Sequence, residues 1–264
     1  MKKNIYIAIE LKQREYLSNV LLSFKAASNG YRVYLGSQKQ IFSLIEEKKS
    51  FGGIFLYKGG IDPKVFDRIK NKINYSFFLD HEIAPGHNNK TYKEEILGHF
   101  FPQTLKNVVG YFCVTSRIYS LAQSIFKKKI KGKVYNTGWP RFDLFKKEYK
   151  NIYLDRVNKI KKKYGNFILF SSDFTFISEN YKSIVKEYSD WGYSSNFRKR
   201  NSDQIKLATF NNQDFHKTVD FLNNISKKIK NLKLIVRAHP SENIKIWKKK
   251  LSKKIIFKEP NDDI

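Results

Sequence analysis

The sequence predicts an α/β fold in which helices alternate with the strands of parallel sheets. Three observations carry the prediction. Short runs rich in β-branched and aromatic residues recur along the chain, separated by stretches with the helical apolar period. These runs are followed at once by polar, charged or glycine residues, as at the carboxyl ends of parallel strands. The 264 residues include 22 Phe and 16 Tyr and are 41% hydrophobic, which is core material for one large domain or two modest ones.

The elements follow in order. Residues 5–9 make a first strand. Leu17, Val20, Leu21, Phe24 and Ala27 then fall on one apolar helix face, and Asn29-Gly30 ends that helix. A second strand covers 31–35 and a helix 38–48. A third strand covers 53–57, and Pro63 suits the first turn of the next helix. Residues 75–79 are the fourth strand. The stretch 81–91, broken by Pro85-Gly86, reads as loop. The fifth strand, 111–114, leads into a helix with Ile118, Leu121, Ala122, Ile125 and Phe126 on one face. The sixth strand is 133–136. Residues 1–145 thus form a Rossmann-like domain, and the Lys-rich segment 146–164 a connector helix. A second run over 165–264 has strands at 167–170, 232–236 and 255–257, and a helix face of Phe215, Val219, Leu222, Ile225 and Ile229. Residues 176–212 show no pattern and read as an insertion or long loop. Three strands and about one regular helix leave sheet edges and a face uncovered, so the second domain is expected to be incomplete or to borrow a partner.

Composition excludes several classes. With Cys113 the only cysteine, no internal disulfide and no cysteine metal cluster is available. The apolar amino-terminal run is interrupted at Glu10 and lacks a cleavage-site pattern, and no stretch approaches the ~20 apolar residues of a membrane span. A cytoplasmic protein is expected. The formal charge of +27, from 51 Lys+Arg against 24 Asp+Glu, favours anionic partners. The basic residues are dispersed, and richness in Lys, Asn and Ile together is what AT-rich coding produces. No Gly-x-Gly-x-x-Gly follows the first strand, which argues against a dinucleotide enzyme. Phosphate-loop, nucleophile-elbow and zinc motifs are absent, and no cofactor is expected.

Chemistry-bearing residues cluster after the strands. Glu10 ends a buried strand, where a carboxylate needs a partner or a task; Lys12 and Arg14 are candidate neutralisers. Lys58-Gly59-Gly60 follows the third strand and reads as a turn. Asp80-His81-Glu82 follows the fourth, suited to acid–base work or a divalent cation. Ser37, Thr115, Ser116 and Asp173 read as helix N-caps. Thr137-Gly138-Trp139-Pro140-Arg141-Phe142-Asp143 follows the sixth strand, and Ser171-Ser172 the seventh. Arg237-Ala238-His239-Pro240-Ser241-Glu242 follows an apolar strand and sets a cation, an imidazole and a carboxylate around a proline-fixed turn. His87, His99 and His216 have no metal-ligand spacing.

The turns 137–143 and 237–242, with the opening Glu10-Leu11-Lys12-Gln13-Arg14-Glu15 and Leu79-Asp80-His81-Glu82, carry a resemblance. The chain resembles bacterial surface carbohydrate biosynthesis proteins of the GT-B-like kind, distantly similar to glycerophosphotransferases and UDP-GlcNAc 2-epimerases. The resemblance implies two Rossmann-like domains facing a cleft, the carboxyl-terminal one incomplete here. It implies a nucleotide-sugar donor held mainly on that second domain, and a saccharide or lipid-linked acceptor. The glycine and hydroxyl turn that would complete the donor phosphate site in such proteins does not occur in these residues. On this reading Arg237 and His239 contact the donor phosphates, with Ser171 and Ser172 also on the substrate. Glu242 positions the sugar or His239, Glu10 and Asp80 serve the acceptor or act as base, and Gly138 and Arg141 shape the cleft. Basic residues and helix N-termini can stabilise a leaving diphosphate without a metal.

Two rivals stand beside this expectation. One is a sugar-nucleotide epimerase or hydrolase on the same fold. The other is a non-catalytic polyanion-binding protein driven by charge. The aromatics fall on strands and helix faces, as core residues do, which argues against a nucleic-acid reader. Peripheral contact with an anionic membrane surface is compatible with the transferase expectation.

Overall fold

Each predicted strand forms close to its predicted place. A computed structural model describes residues 3–47, 52–80, 89–90, 93, 100–174, 177, 197–240 and 242–260, with backbone alone over 197–208. The chain divides into two compact units, Met1–Ile152 and Tyr153–Ile264, and the division falls within the predicted connector.

In the first unit the order is β1 (Asn4–Ile9), α1 (Lys12–Ser28), β2 (Arg32–Ser37), α2 (Gln38–Glu47), β3 (Ile54–Lys58), α3 (Pro63–Ile69) and β4 (Tyr75–Leu79). It continues with α4 (Pro102–Leu105), β5 (Val108–Cys113), α5 (Ser116–Phe126), β6 (Lys133–Asn136) and α6 (Pro140–Asp143). The six strands form one parallel sheet in the order β2-β1-β3-β4-β5-β6. The unit is therefore a Rossmann-like α/β domain. The strand order reverses direction between β1 and β3, and in such sheets the crevice outside the carboxyl ends at that point is where ligands bind.

One face of this sheet carries the main core. Tyr6, Phe55, Phe78 and Tyr111 from the strands pack with Ile41 and Ile45 of α2, Phe66 and Ile69 of α3, and Ile118, Ala122 and Phe126 of α5. Each such aromatic, fully buried, contributes roughly 2–3 kcal/mol of transfer free energy. Local signals agree with the helix starts. Asp62 accepts from the N–H groups of Lys64 and Val65 ahead of Pro63, and Thr115 Oγ1 accepts from Ile118 N at 3.2 Å. Ser37 and Gln40 bond reciprocally as a capping box. Ser116 does not cap; its hydroxyl accepts from Asn136 Nδ2 at 3.1 Å.

Two expectations are corrected. The apolar stripe of α1 faces outward: Leu17 is 43%, Val20 38% and Phe24 70% exposed, whereas Glu15 and Ser18 are buried. The reason is electrostatic. Glu15 is tied from within the first turn to groups at the ends of β1 and β3, which fixes the rotation of the helix. Second, residues 197–212 are not loop but the first half of a long helix, α8 (Phe197–Lys228). Its polar first turns carry no apolar stripe for a periodicity reading to find. Of the predicted loop 81–91, residues 89–90 are helical; His81, Glu82, Pro85 and Gly86 lie outside the described residues, as do 178–196 and Ser241.

The second unit contains most of α7 (Asn151–Tyr164), then β7 (Phe167–Ser171), α8, β8 (Lys233–Arg237), α9 (Ile244–Lys250) and β9 (Ile256–Lys258). Its three strands are parallel, in the order β7-β8-β9. Trp247 is fully buried, its ring edge-on to Phe215 at 4.7 Å, among Val219, Leu222, Leu234 and Val236. β8 is buried through Leu234, Ile235 and Val236, while Ile168 and Leu169 on β7 are exposed.

Candidate functional site

A crevice in the first unit lies at the carboxyl edge of its sheet, where the strand order reverses. Its lining includes Ile7 and Ala8 of β1, Glu15, Ser18 and Asn19 of α1, Tyr57 and Lys58 of β3, Leu79 of β4, and Trp139-Pro140-Arg141 after β6. The sequence builds it simply. β1 ends at Ile9, and α1 starts three residues later, so the first turns of α1 must lie over the strand ends. Helix α6 packs against α1 and brings in the turn after β6.

An ion cluster organises the floor. Lys58 Nζ lies 2.6 Å from Glu15 Oε1 and 3.0 Å from Glu10 Oε2. Glu15 Oε2 also accepts the backbone N–H of Glu10 at 2.9 Å, which locks the strand end to the helix. A carboxylate in the first turn is further favoured by the helix dipole. Lys58 and Glu15 side chains are only 8% exposed, but that of Glu10 is 45% exposed. Burial pulls the Lys58 ammonium down; hydrogen bonds and charges from Glu15 and Glu10 outweigh that and raise its pKa above the ordinary lysine value. Tyr57 beside it is pushed up to about 12, by burial first and then by the charges of Glu10 and Glu15. The arrangement presents one partly open carboxylate held in place by a buried cation. That suits a positioned proton acceptor.

The wall is aromatic and cationic. Gly138 takes φ +76°, a left-handed conformation that a side chain would strain, and turns the chain into Trp139. The Arg141 guanidinium sits over the Trp139 ring at 4.2 Å, and Phe142 meets that ring edge-on at 5.9 Å. The indole is thereby held by contacts on the same turn. Of the predicted residues, Glu10, Gly138 and Arg141 thus belong to this region.

Asp80 does not line this crevice. It is fully buried and accepts the Tyr111 hydroxyl at 2.5 Å. It also helps push the Cys113 thiol, already raised by burial, up to about 12. Asp80 therefore sits in the interior of the sheet edge.

In the second unit, Ser171, Arg237 and Lys258 align across the carboxyl ends of β7, β8 and β9. Arg237 is half-buried and donates from Nη2 to Pro260 O at 3.1 Å, and His239 follows it, half-buried. Ser172 N donates to Arg237 O at 3.0 Å, and its hydroxyl lies 2.6 Å from Glu242 Oε2. Glu242 is buried and also accepts from Trp247 Nε1 at 2.7 Å and from the backbone N–H of Phe174. Its carboxylate is an internal tie between the β7 and β8 loops. Ser172 belongs to the same tie, whereas Ser171 is exposed.

Sequence reasoning missed Lys58, Glu15, Tyr57 and Trp139 as parts of one site. Lys58 carried a signal, being the charged last residue of a strand whose neighbour ends in a carboxylate. The cation on Glu10 comes from β3, across the sheet, where helical neighbours had been expected. Among the described residues no group of three or more His, Cys, Asp or Glu is placed to hold a metal ion.

In comparisons with known proteins, no family model matches the chain and no curated protein matches it in sequence.

Proposed function

We propose that the chain is a GT-B-like transferase of surface polysaccharide assembly, moving a sugar or a related group from a nucleotide donor. The observation that carries the reading is the Glu10–Lys58–Glu15 cluster beside Trp139 at the reversal point of a parallel sheet. In this reading the first unit serves the acceptor. An acceptor hydroxyl hydrogen-bonds to Glu10, which takes its proton as the oxygen attacks the donor sugar carbon. Lys58 and Glu15 position Glu10, and Trp139 supplies an apolar platform for the C–H face of a sugar ring. The second unit serves the donor. Arg237 and His239, at the carboxyl end of its middle strand, are the groups for the diphosphate, whose charge grows as the bond to the sugar breaks. A second parallel sheet with a cation and an imidazole at its strand ends supports that assignment.

The test is calorimetric titration of nucleotide sugars into the chain, followed by product analysis with a labelled donor. Arg237→Ala and His239→Ala are each expected to weaken donor binding about tenfold or more. Glu10→Gln is expected to leave donor affinity unchanged and to abolish acceptor-linked product. Release of free or epimerised sugar would replace the transferase by a hydrolase or epimerase. Salt-sensitive binding to random DNA, with none to any nucleotide sugar, would replace it by a polyanion-binding protein.

A further inference from the structure

The outward face of α1 carries exposed apolar side chains. Leu17, Val20 and Phe24 stand exposed along it, with Tyr16 also exposed beside them and the Lys12 ammonium 5.9 Å from the Tyr16 ring centroid. Lys25, next to Phe24, is exposed as well, and the helix's one acidic residue, Glu15, is buried on the opposite side. The short helix α6, which packs on α1, adds exposed Phe142, and Phe145 follows it at 79% exposure, ahead of Lys146 and Lys147. The ion pair that turns Glu15 inward is what turns this stripe outward, so the orientation of the face is built in by the site.

We infer that this α1–α6 face is a docking surface for an anionic lipid bilayer. The physical match is specific. A helix that lies in the plane of a membrane interface carries an apolar stripe with large side chains, and basic residues beside it that reach the headgroups. Charge decides between occupants. A second copy would bring another +27 charge against a face on which Lys12, Lys25, Lys146 and Lys147 outnumber the acids Asp143 and Glu148, and two such chains repel. Anionic headgroups attract the same field while the acyl region takes up Leu17, Val20 and Phe24. Among the described residues no helix is long and apolar enough to cross a membrane, so the contact is with the surface. The inference does not depend on the transferase reading, because it uses none of the groups assigned to sugar or phosphate.

The experiment is sedimentation of the full chain with vesicles of phosphatidylcholine containing a quarter phosphatidylglycerol, and with vesicles of phosphatidylcholine alone. The chain is expected to bind the anionic vesicles, and the double variant Leu17→Ser/Phe24→Ser to bind them about tenfold less well. A Phe24→Trp variant gives a second readout, its added emission quenched by lipids brominated in the acyl chains. The inference is overturned if the wild type ignores anionic vesicles, or if the double variant binds equally well. It is also overturned if the Phe24→Trp emission is untouched in the bound protein. A dimer in solution that dissolves in the double variant would show a second copy on this face instead.

Discussion

Helices α1 and α5 make an instructive pair, because both are crossover helices on the same sheet and both read as amphipathic. Helix α5 behaves as periodicity predicts: Ile118, Ala122, Ile125 and Phe126 are buried against the strands. Helix α1 does the reverse, burying Glu15 and Ser18 and exposing Leu17, Val20 and Phe24. Periodicity reports that a helix has two unlike faces. It does not report which face the sheet receives. For α5 the hydrophobic term alone decides. For α1 a buried lysine at the end of β3 is paired by Glu15 from the helix's first turn, and that tie sets which face turns inward.

The largest test of the contrast removes one aromatic from each helix. Phe126→Ala in α5 is expected to destabilise the protein by about 3–5 kcal/mol, since its ring is fully buried against Phe100 and Tyr111. Phe24→Ala in α1 is expected to change stability by no more than ~0.5 kcal/mol. Urea denaturation measures both. Equal losses would mean that the outward stripe is packed after all, and the comparison would fail.

The next effect belongs to the cluster that rotates α1. Lys58→Met leaves two carboxylates facing one another beneath the helix, and is expected to cost about 2–4 kcal/mol at neutral pH. Glu10→Gln, at the open end of the same cluster, is expected to cost under about 1 kcal/mol. If Lys58→Met is as mild as a surface change, the ion pair is not what orients the helix. Alkaline titration sharpens the point. Lys58 and Tyr57 both hold their protons more tightly in the folded state, Tyr57 up to about 12. Their contribution is complete below the ordinary lysine and tyrosine values and is lost as pH rises through the raised, folded ones. Stability should therefore fall with pH above about 10, and less steeply in Lys58→Met, in denaturant midpoints taken across that range.

The strands were legible because crossover helices cover both faces of a parallel sheet, so the apolar runs are nearly continuous. The strand ends were legible as chemistry for the same topological reason, which is why Glu10, Arg141 and Arg237 could be picked out. The pairing of Glu10 with Lys58 was not legible. It joins residues 48 positions apart, and only the placement of β3 beside β1 makes them neighbours. The burial of Asp80 against Tyr111 and of Glu242 against Ser172 was hidden in the same way. What covers both carboxylates comes from elsewhere in sequence. The start of α8 escaped because its first turns give no apolar period, leaving nothing for the reading to detect.

The smallest expected effect concerns how the two helices begin. Helix α5 has a side-chain cap, with Thr115 Oγ1 accepting the Ile118 N–H. Helix α1 has Leu11 at the equivalent position and no side-chain cap. Glu15 instead reaches back to the N–H of Glu10, so the carboxylate that binds Lys58 also secures the helix start. Thr115→Ala should cost about 1 kcal/mol, because an N–H loses its acceptor. Leu11→Ser should stabilise by about 0.5 kcal/mol, because a free N–H of α1 gains one. In a Glu15→Gln background the gain from Leu11→Ser should grow, since the helix start then relies on the new cap. Denaturant midpoints of the four combinations read this coupling directly. Strict additivity would mean that Glu15 acts on α1 only through Lys58.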